Sequence, residues 1–233
     1  MKKALIFQGG WDGHQPKLVS ARFASILEKN GYEVTITDTL DTLRDLDYLM
    51  GLDLIIPCWT MGTIDGECCR NVCKAVESGV GLAGCHGGMC DAFRNDTNWA
   101  LMTGGQWVAH PGGDTRSYTV NIKQASNSIM SGLDDFVVTS EQYYMHYDPD
   151  VEILATTYCP SPNGFPNRDR IVEMPVVWTK YWGCGRVFYS SLGHSDDVFY
   201  RSPNAQKIME RGMLWAGEGK EYAVKNGMVP KNF

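Results

Sequence analysis

Residues 79–93 read GVGLAGCHGGMCDAF and carry the pattern of a strand, a turn and a helix. It begins with an apolar run of the length of a buried β-strand, and glycines surround Cys85 and His86 where that run ends. The residues after His86 read as the beginning of a helix. Many α/β enzymes present a nucleophile on a sharp turn from a strand into a helix. The stretch therefore predicts an α/β enzyme fold with either Cys85 or His86 at the turn.

The sequence before this stretch alternates short apolar strands with helical patterns. The strands are expected in KALIFQ, YEVTIT and LDLIIPC, and the helices in QPKLVSARFASILEKNG and DGECCRNVCKAVESG. This βαβ alternation is typical of a parallel sheet covered by helices, in which ligands bind at the carboxyl ends of the strands.

The second half of the chain is richer in strands. They are expected in SYTVNI, DFVVTSEQYYM, EILATT, MPVVWTKY and GRVFYSSLG, and the last two form a predicted hairpin that turns through residues 182–185. A final helix is expected in NAQKIMERGMLWAG. Because no Gly/Ser-rich or Pro-rich linker separates the halves, residues 1–233 are predicted to form a single domain with an elaborated β-rich second half.

Charge and composition exclude several classes of function. The chain has 21 Lys and Arg against 27 Asp and Glu, so we expect no nucleic-acid partner and no anionic membrane surface. No apolar run approaches the roughly 18 residues of a membrane span, and the N-terminal apolar segment is too short for a signal peptide. The eight cysteines show no CxxC spacing and no secretory context, which indicates reduced thiols in a cytoplasmic protein.

Four of the five histidines lie beside glycine or proline in loops after predicted strands. They are His14, His86, His110 and His194. A single loop histidine is most often only solvated, but several at one edge of a sheet indicate a shared cleft. Imidazole suits either proton transfer or a divalent ion.

Tryptophans accompany these histidines in the same loops. Trp11 precedes His14, Trp107 precedes His110, and Trp59 follows the third strand. Each of them has an ordinary interpretation as a packing residue, whereas aromatic faces beside a polar cleft are typical of sugar binding. The segment QGGWDGHQP matches neither GxGxxG nor a Walker motif, which argues against a nucleotide.

Several segments together carry a resemblance to a known family. They occur in order over nearly the entire chain and are GGWDGHQP, PCWTMG, GVGLAGCHGG, WVAHPGG, GLDDFVVTSEQYY, DPDVEILAT, PVVWTKYWGCGRVFYSSLGHSDDVF and LWAG. The chain resembles the ThuA-like (trehalose utilisation) family. This resemblance implies a flavodoxin-like, doubly wound, mostly parallel sheet similar to that of class I glutamine amidotransferases.

The resemblance also suggests which residue occupies the turn. The amidotransferase elbow reads roughly Gly-Ile-Cys-x-Gly, so its apolar position falls on Cys85 and its nucleophile position on His86. The amidotransferase His-x-Glu corresponds to His194 and Asp196. An imidazole does not readily replace the thioester-forming thiolate, so glutamine hydrolysis is not expected. A shift of one residue would return Cys85 to the tip, which keeps a Cys85-dependent hydrolase as an alternative.

The function implied by the resemblance is carbohydrate metabolism on a sugar or keto-sugar derivative, as in the catabolism of trehalose-type disaccharides. His86 and His194 are the expected proton-transfer residues, with Asp196 orienting His194. The residues expected to line the substrate pocket are Trp11, Asp12, His14, Trp59, His110, Glu141 and Tyr143. A small-molecule carbohydrate is then the partner. The alternative from a different class is a catalytically inert sugar-binding or regulatory protein.

A divalent metal such as Zn²⁺ is the one cofactor that these residues suggest. His86, His194 and His14 are the expected ligands, because neutral imidazoles are usual zinc ligands. No HExxH motif is present, and a metal-free acid–base pair stays open as the alternative. The sequence leaves the oligomeric state open, with a homodimer as one option because dimers are the commonest assembly for such domains.

Overall fold

The computed structural model describes residues 1–162 and 170–229, and its central element is a nine-stranded sheet. The strands are β1 (Lys2–Gly10), β2 (Tyr32–Thr37), β3 (Leu54–Thr60), β4 (Gly81–Cys85), β5 (Gly105–Ala109), β6 (Ser117–Ile122), β7 (Phe136–Thr139), β8 (Tyr144–Tyr147), β9 (Glu152–Pro160), β10 (Ile171–Trp182) and β11 (Gly185–Ser190). The helices are α1 (Pro16–Lys29), α2 (Leu46–Met50), α3 (Gly66–Glu77), α4 (His86–Cys90), α5 (Thr97–Thr103), α6 (Asp196–Arg201), α7 (Pro203–Gly217) and α8 (Gly219–Lys225). Short 3₁₀ helices cover Asp12–His14 and Asp41–Arg44.

The large sheet has the order β2-β1-β3-β4-β11-β10-β9-β6-β7. Its first five strands are mutually parallel, and from β11 onward each strand pairs antiparallel with its neighbour. Strands β5 and β8 form a separate two-stranded sheet. The predicted fold class is confirmed: the sheet is doubly wound and mostly parallel, and it is extended by strands from a β-rich second half.

Helices cover both faces of the parallel strands, and the alternation of side chains along β1 shows why. Ala4 and Ile6 belong to one buried cluster together with residues of α1 and α7, while Leu5 and Phe7 belong to a second cluster with residues of α3 and α5. Successive side chains of a strand point to opposite faces, so a strand buried on both sides reads as the continuous apolar run seen in the sequence.

One predicted strand is divided in the structure. The segment DFVVTSEQYYM forms β7 and β8, which pair with different partners, β6 and β5. The polar residues 140–142 therefore lie in a connection rather than inside a strand. The predicted hairpin is confirmed, because β10 and β11 pair from Trp182 opposite Gly185. Strand β5 was not anticipated from the sequence.

No helix within the described residues is long and apolar enough to cross a membrane.

Candidate functional site

Three parallel strands and one connection bring four side chains together. His14 ends the 3₁₀ helix after β1, His86 follows β4, and His194 lies just after β11. Glu141 lies in the connection between β7 and β8. One ligand atom from each of these four residues lies within 4.8 Å of the others. The structure thus brings three of the four expected histidines together at the carboxyl ends of the strands, and we call the four residues His14, His86, Glu141 and His194 the His–Glu cluster.

His86 occupies the sharp turn between β4 and α4. Its φ is +45°, in the left-handed region that few residues other than glycine adopt, whereas Cys85 is extended with φ −136°. The Tyr189 hydroxyl donates a hydrogen bond of 3.1 Å to the His86 carbonyl and helps to fix this turn. The structure therefore places His86 at the tip, as the alignment with the elbow motif suggested.

Cys85 is the last residue of β4, with its side chain in the core. The residue is 4% exposed, and burial raises the pKa of its thiol well above the usual value. A thiol in such surroundings carries no nucleophilic thiolate near neutral pH. The geometry gives no support to Cys85 as a nucleophile.

The Glu141 carboxylate is the centre of the cluster. Its Oε2 atom lies 3.1 Å from Nε2 of His86, 3.1 Å from Nδ1 of His194 and 3.7 Å from Nε2 of His14. Its other oxygen, Oε1, lies 3.6 Å from Nδ1 of His110, whose side chain is about half exposed. Burial by itself raises the pKa of Glu141, but the contacts with the histidines outweigh burial and the net pKa is lowered. Glu141 is therefore ionised.

The ring of His86 is fully buried and, in contrast to the ionised Glu141, is uncharged near neutral pH. Burial lowers its pKa to about 3, even though the contact with Glu141 acts in the opposite direction. Its Nδ1 lies 2.8 Å from the Ser191 carbonyl oxygen. His14 shows a similar arrangement, with Nδ1 at 2.8 Å from Oγ1 of Thr60 and Nε2 toward Glu141. In both residues one ring nitrogen is held from outside the cluster and the other faces inward, as in metal-binding histidines.

Aromatic rings form the walls around this cluster. Tyr143 stacks on His86 at 3.8 Å between ring centroids, and Trp11 meets His14 edge-on at 4.8 Å. Trp107 stacks on His110 at 5.6 Å. These rings place apolar faces beside the polar centre.

Two other residues expected in the pocket lie further from the centre. Asp12 belongs to the same 3₁₀ helix as His14 but is exposed. Trp59 is half-buried, and its ring packs so closely on Gly9 that a Cβ there would lie 2.6 Å from it. Trp59 thus fixes the backbone at the end of β1.

Comparison with known proteins identifies the family of this chain. Residues 3–216 match the ThuA family, which is described as trehalose utilisation. The chain belongs to the ThuA family. No curated protein matches the sequence.

Several solved structures share the fold. A ThuA-like protein from Parabacteroides merdae ATCC 43184 is 19% identical, with a TM-score of 0.73 over 100% of this chain and 92% of that one. One from Bacteroides uniformis ATCC 8492 is also 19% identical, with a TM-score of 0.69 over 92% and 91% of the two chains. The cytoplasmic protein STM3548 from Salmonella typhimurium is 12% identical, with a TM-score of 0.62 over 93% and 99%. At these identities the likeness is one of fold.

In this ThuA-family chain, the expected role of Asp196 is wrong. Its carboxylate oxygens accept hydrogen bonds from Arg22 Nε at 2.5 Å and Nη2 at 2.8 Å. The carboxylate beside His194 is that of Glu141. Asp196 is turned toward α1 because it opens α6, which packs against that helix.

The sequence also missed several partners of the cluster. Glu141 was expected to bind substrate, yet it lies between the three histidines as a potential ligand. The polar triplet Ser140–Gln142, which interrupts an apolar strand pattern, was the available signal. The contacts from Thr60 and Ser191 had no signal in the sequence, because they depend on how strands meet in space.

Proposed function

We propose that this protein is a metal-dependent enzyme of carbohydrate metabolism that acts on a keto-sugar, with the His–Glu cluster holding a divalent cation. A neutral imidazole has a single N–H. His86 nevertheless faces an oxygen from each ring nitrogen, the Ser191 carbonyl at 2.8 Å and the Glu141 carboxylate at 3.1 Å. This pair of contacts is the observation that carries the proposal.

One of these two contacts needs a positive charge between its atoms. If Nδ1 donates to Ser191, the Nε2 lone pair meets a carboxylate, and the two repel. A second proton on His86 would relieve this repulsion, but burial of the ring lowers its pKa to about 3 and opposes that proton. A cation shared by Nε2 and the carboxylate relieves it while His86 stays neutral.

The remaining members of the cluster fit the same ion. Nδ1 of His194 is buried and lies 3.1 Å from Oε2 of Glu141, but the angles between them are not those of a hydrogen bond. His14 turns Nε2 inward while Nδ1 contacts Thr60. Three imidazoles and one carboxylate suit Zn²⁺, Mn²⁺ or Co²⁺, and the carboxylate offsets part of the charge of the ion.

The chemistry follows from these groups and from the family. Bound there, a divalent cation supplies a Lewis acid for a carbonyl oxygen. His110 contacts Oε1 of Glu141 and is about half exposed, so it is placed at the mouth of the cluster to accept a proton from the carbon next to the ketone. The electrons of that C–H bond then form a double bond to the carbonyl carbon, and the C=O electron pair moves onto the oxygen. If the proton returns to the former carbonyl carbon, and the hydroxyl proton of the adjacent carbon moves to the enolate oxygen, the result is isomerisation. If the enolate instead re-forms its C=O bond, a new C=C bond forms to the next carbon, whose glycosidic oxygen leaves with its bonding pair and takes the proton from His110, which is elimination.

Two features support a sugar as the substrate. The family is described as trehalose utilisation. Trp11 is 46% exposed beside His14 and offers an apolar ring face of the kind that stacks on sugars.

The proposal is tested by metal content and proton exchange. Protein purified without chelator should contain about one transition-metal ion per chain by elemental analysis. In heavy water it should label a methyl 3-keto-glucoside at the carbon next to the ketone. Dialysis against EDTA should abolish labelling, and Zn²⁺, Mn²⁺ or Co²⁺ should restore it.

Variants separate this proposal from its alternatives. His86→Ala should bind the ion poorly and lose labelling, while His146→Ala, a change at an exposed histidine of β8, should keep both. Labelling by metal-free protein would instead make the histidines a simple acid–base pair. Binding of the keto-glucoside without any labelling would favour an inert sugar-binding protein.

A further inference from the structure

Asp196 connects the two segments that carry His14 and His194. It lies two residues after His194, and its backbone N–H donates a hydrogen bond of 3.2 Å to Oε1 of Gln15, the residue next to His14. Its carboxylate receives two hydrogen bonds from Arg22 on α1, the helix that begins directly after Gln15. One residue of the His194 segment thus holds the His14 segment at two points.

Arg22 extends this connection to a third element. Its Nη1 donates a hydrogen bond of 2.9 Å to Oε1 of Gln206 on α7, while Nε and Nη2 bind Asp196. A guanidinium that binds a carboxylate through two parallel N–H groups fixes the orientation of its partner as well as its distance. Arg22 and Asp196 are each about one-quarter exposed, and we call this pair the Arg22–Asp196 clamp.

The segments that carry His14 and His194 both leave the hydrogen-bonding pattern of the sheet before they reach this clamp. Gln15 has a φ of +50° and Gly193 a φ of +105°, so each segment changes direction beside its histidine. At Gly193 a Cβ would lie 2.5 Å from the Phe199 ring, which leaves this segment little alternative path. The rings of His14 and His194 nevertheless stand with centroids 5.0 Å apart.

We propose that Arg22 and Asp196 are positioning residues that set the separation of the His14 and His194 rings, and so the affinity of the His–Glu cluster for its cation. This inference rests on the proposed function. In this role Asp196 holds the backbone segments that carry His14 and His194, and it does not bind the imidazole of His194. Neither residue of the clamp belongs to the His–Glu cluster.

Cobalt binding tests this role directly. In metal-stripped protein titrated with Co²⁺ and followed by visible absorption, Arg22→Ala should bind about 10-fold more weakly than the wild type. This is the low end of the loss seen when a direct hydrogen-bond partner of a ligand is removed, because the clamp holds the backbone segments and not the rings. Asp196→Ala should show a similar loss. The double variant should be no weaker than the weaker single variant, because the two residues act as one unit.

Two further variants separate positioning from simple loss of a surface ion pair. Lys123→Ala removes the Lys123–Glu173 pair, which is 2.5 Å long and lies on the antiparallel part of the sheet, so Co²⁺ affinity should not change. Arg22→Lys keeps the charge but not the two parallel donors, and its affinity should lie between those of Arg22→Ala and the wild type. Wild-type Co²⁺ affinity in Arg22→Ala would overturn the inference.

The role of the clamp can be tested even if the wild type binds no Co²⁺. The proposed metal site then fails, and the clamp is judged from crystal structures of the metal-free wild type and Arg22→Ala. A changed separation of the His14 and His194 rings in the variant would support the clamp. The same separation in both proteins would refute it.

Discussion

The charge state of His86 distinguishes two arrangements of the His–Glu cluster. In one, His86 is neutral and the cluster binds a cation, and in the other, His86 carries a second proton. The change to make is His86→Asn in metal-stripped protein, because Asn tolerates the left-handed backbone at this position and does not titrate. Burial lowers the pKa of His86 from 6.5 to about 3 in the folded chain. Between these values the unfolded chain binds a proton at this residue and the folded chain does not, so wild-type stability falls as the pH falls.

The size of this effect follows from the pKa difference. Each pH unit within the window costs about 1.4 kcal/mol, so acidification from about pH 6.5 to about pH 5 should remove about 2 kcal/mol more stability from the wild type than from His86→Asn. Urea denaturation at several pH values, followed by circular dichroism, measures this difference. The lower limit keeps the experiment above the usual range of carboxyl groups.

The opposite pH dependence would show that His86 holds a second proton. If Glu141 and the Ser191 carbonyl held a second proton on His86, its pKa would be raised. The wild type would then gain stability over His86→Asn on acidification, and the cluster would need no cation. His146→Asn is the control, because this exposed histidine lies outside the cluster and its replacement should leave the wild-type pH dependence in place.

Three other substitutions test single contacts. Glu141→Gln keeps the size of the side chain but removes its charge, so Co²⁺ binding should fall by at least about 10-fold while the circular dichroism spectrum stays unchanged; unchanged affinity would remove Glu141 from the ligand set. Gly87→Ala places a Cβ 2.4 Å from Cε1 of His14, so the His14 ring must move. Both Co²⁺ affinity and the rate of proton exchange should then fall. Full exchange activity would show that His14 is not needed in its present position. Cys85→Ala should cost about 1 kcal/mol of stability for the lost buried sulfur and leave proton exchange intact; a folded variant without activity would bring back a thiol mechanism.

Local patterns were enough to predict the parallel half of the fold. Apolar runs buried on both faces and amphipathic helices between them are visible in the sequence, because burial acts on each segment through its own periodicity. The same patterns placed His14, His86 and His194 after strands. Parallel strands end at one edge, so their convergence could be anticipated.

The pairing of side chains from distant segments depends on the tertiary structure. A carboxylate binds whichever cation is nearest in space, and sequence spacing does not say which one that is. Asp196 was therefore expected to be the partner of His194, but it accepts hydrogen bonds from Arg22, 174 residues away. Glu141 reaches the histidines because its predicted strand is divided into β7 and β8. The charge state of His86 likewise depends on burial and on two oxygens from separate elements. Local sequence patterns thus placed the histidines at the carboxyl ends of the parallel strands. The packing of strands and connections placed Glu141, and not Asp196, in contact with them.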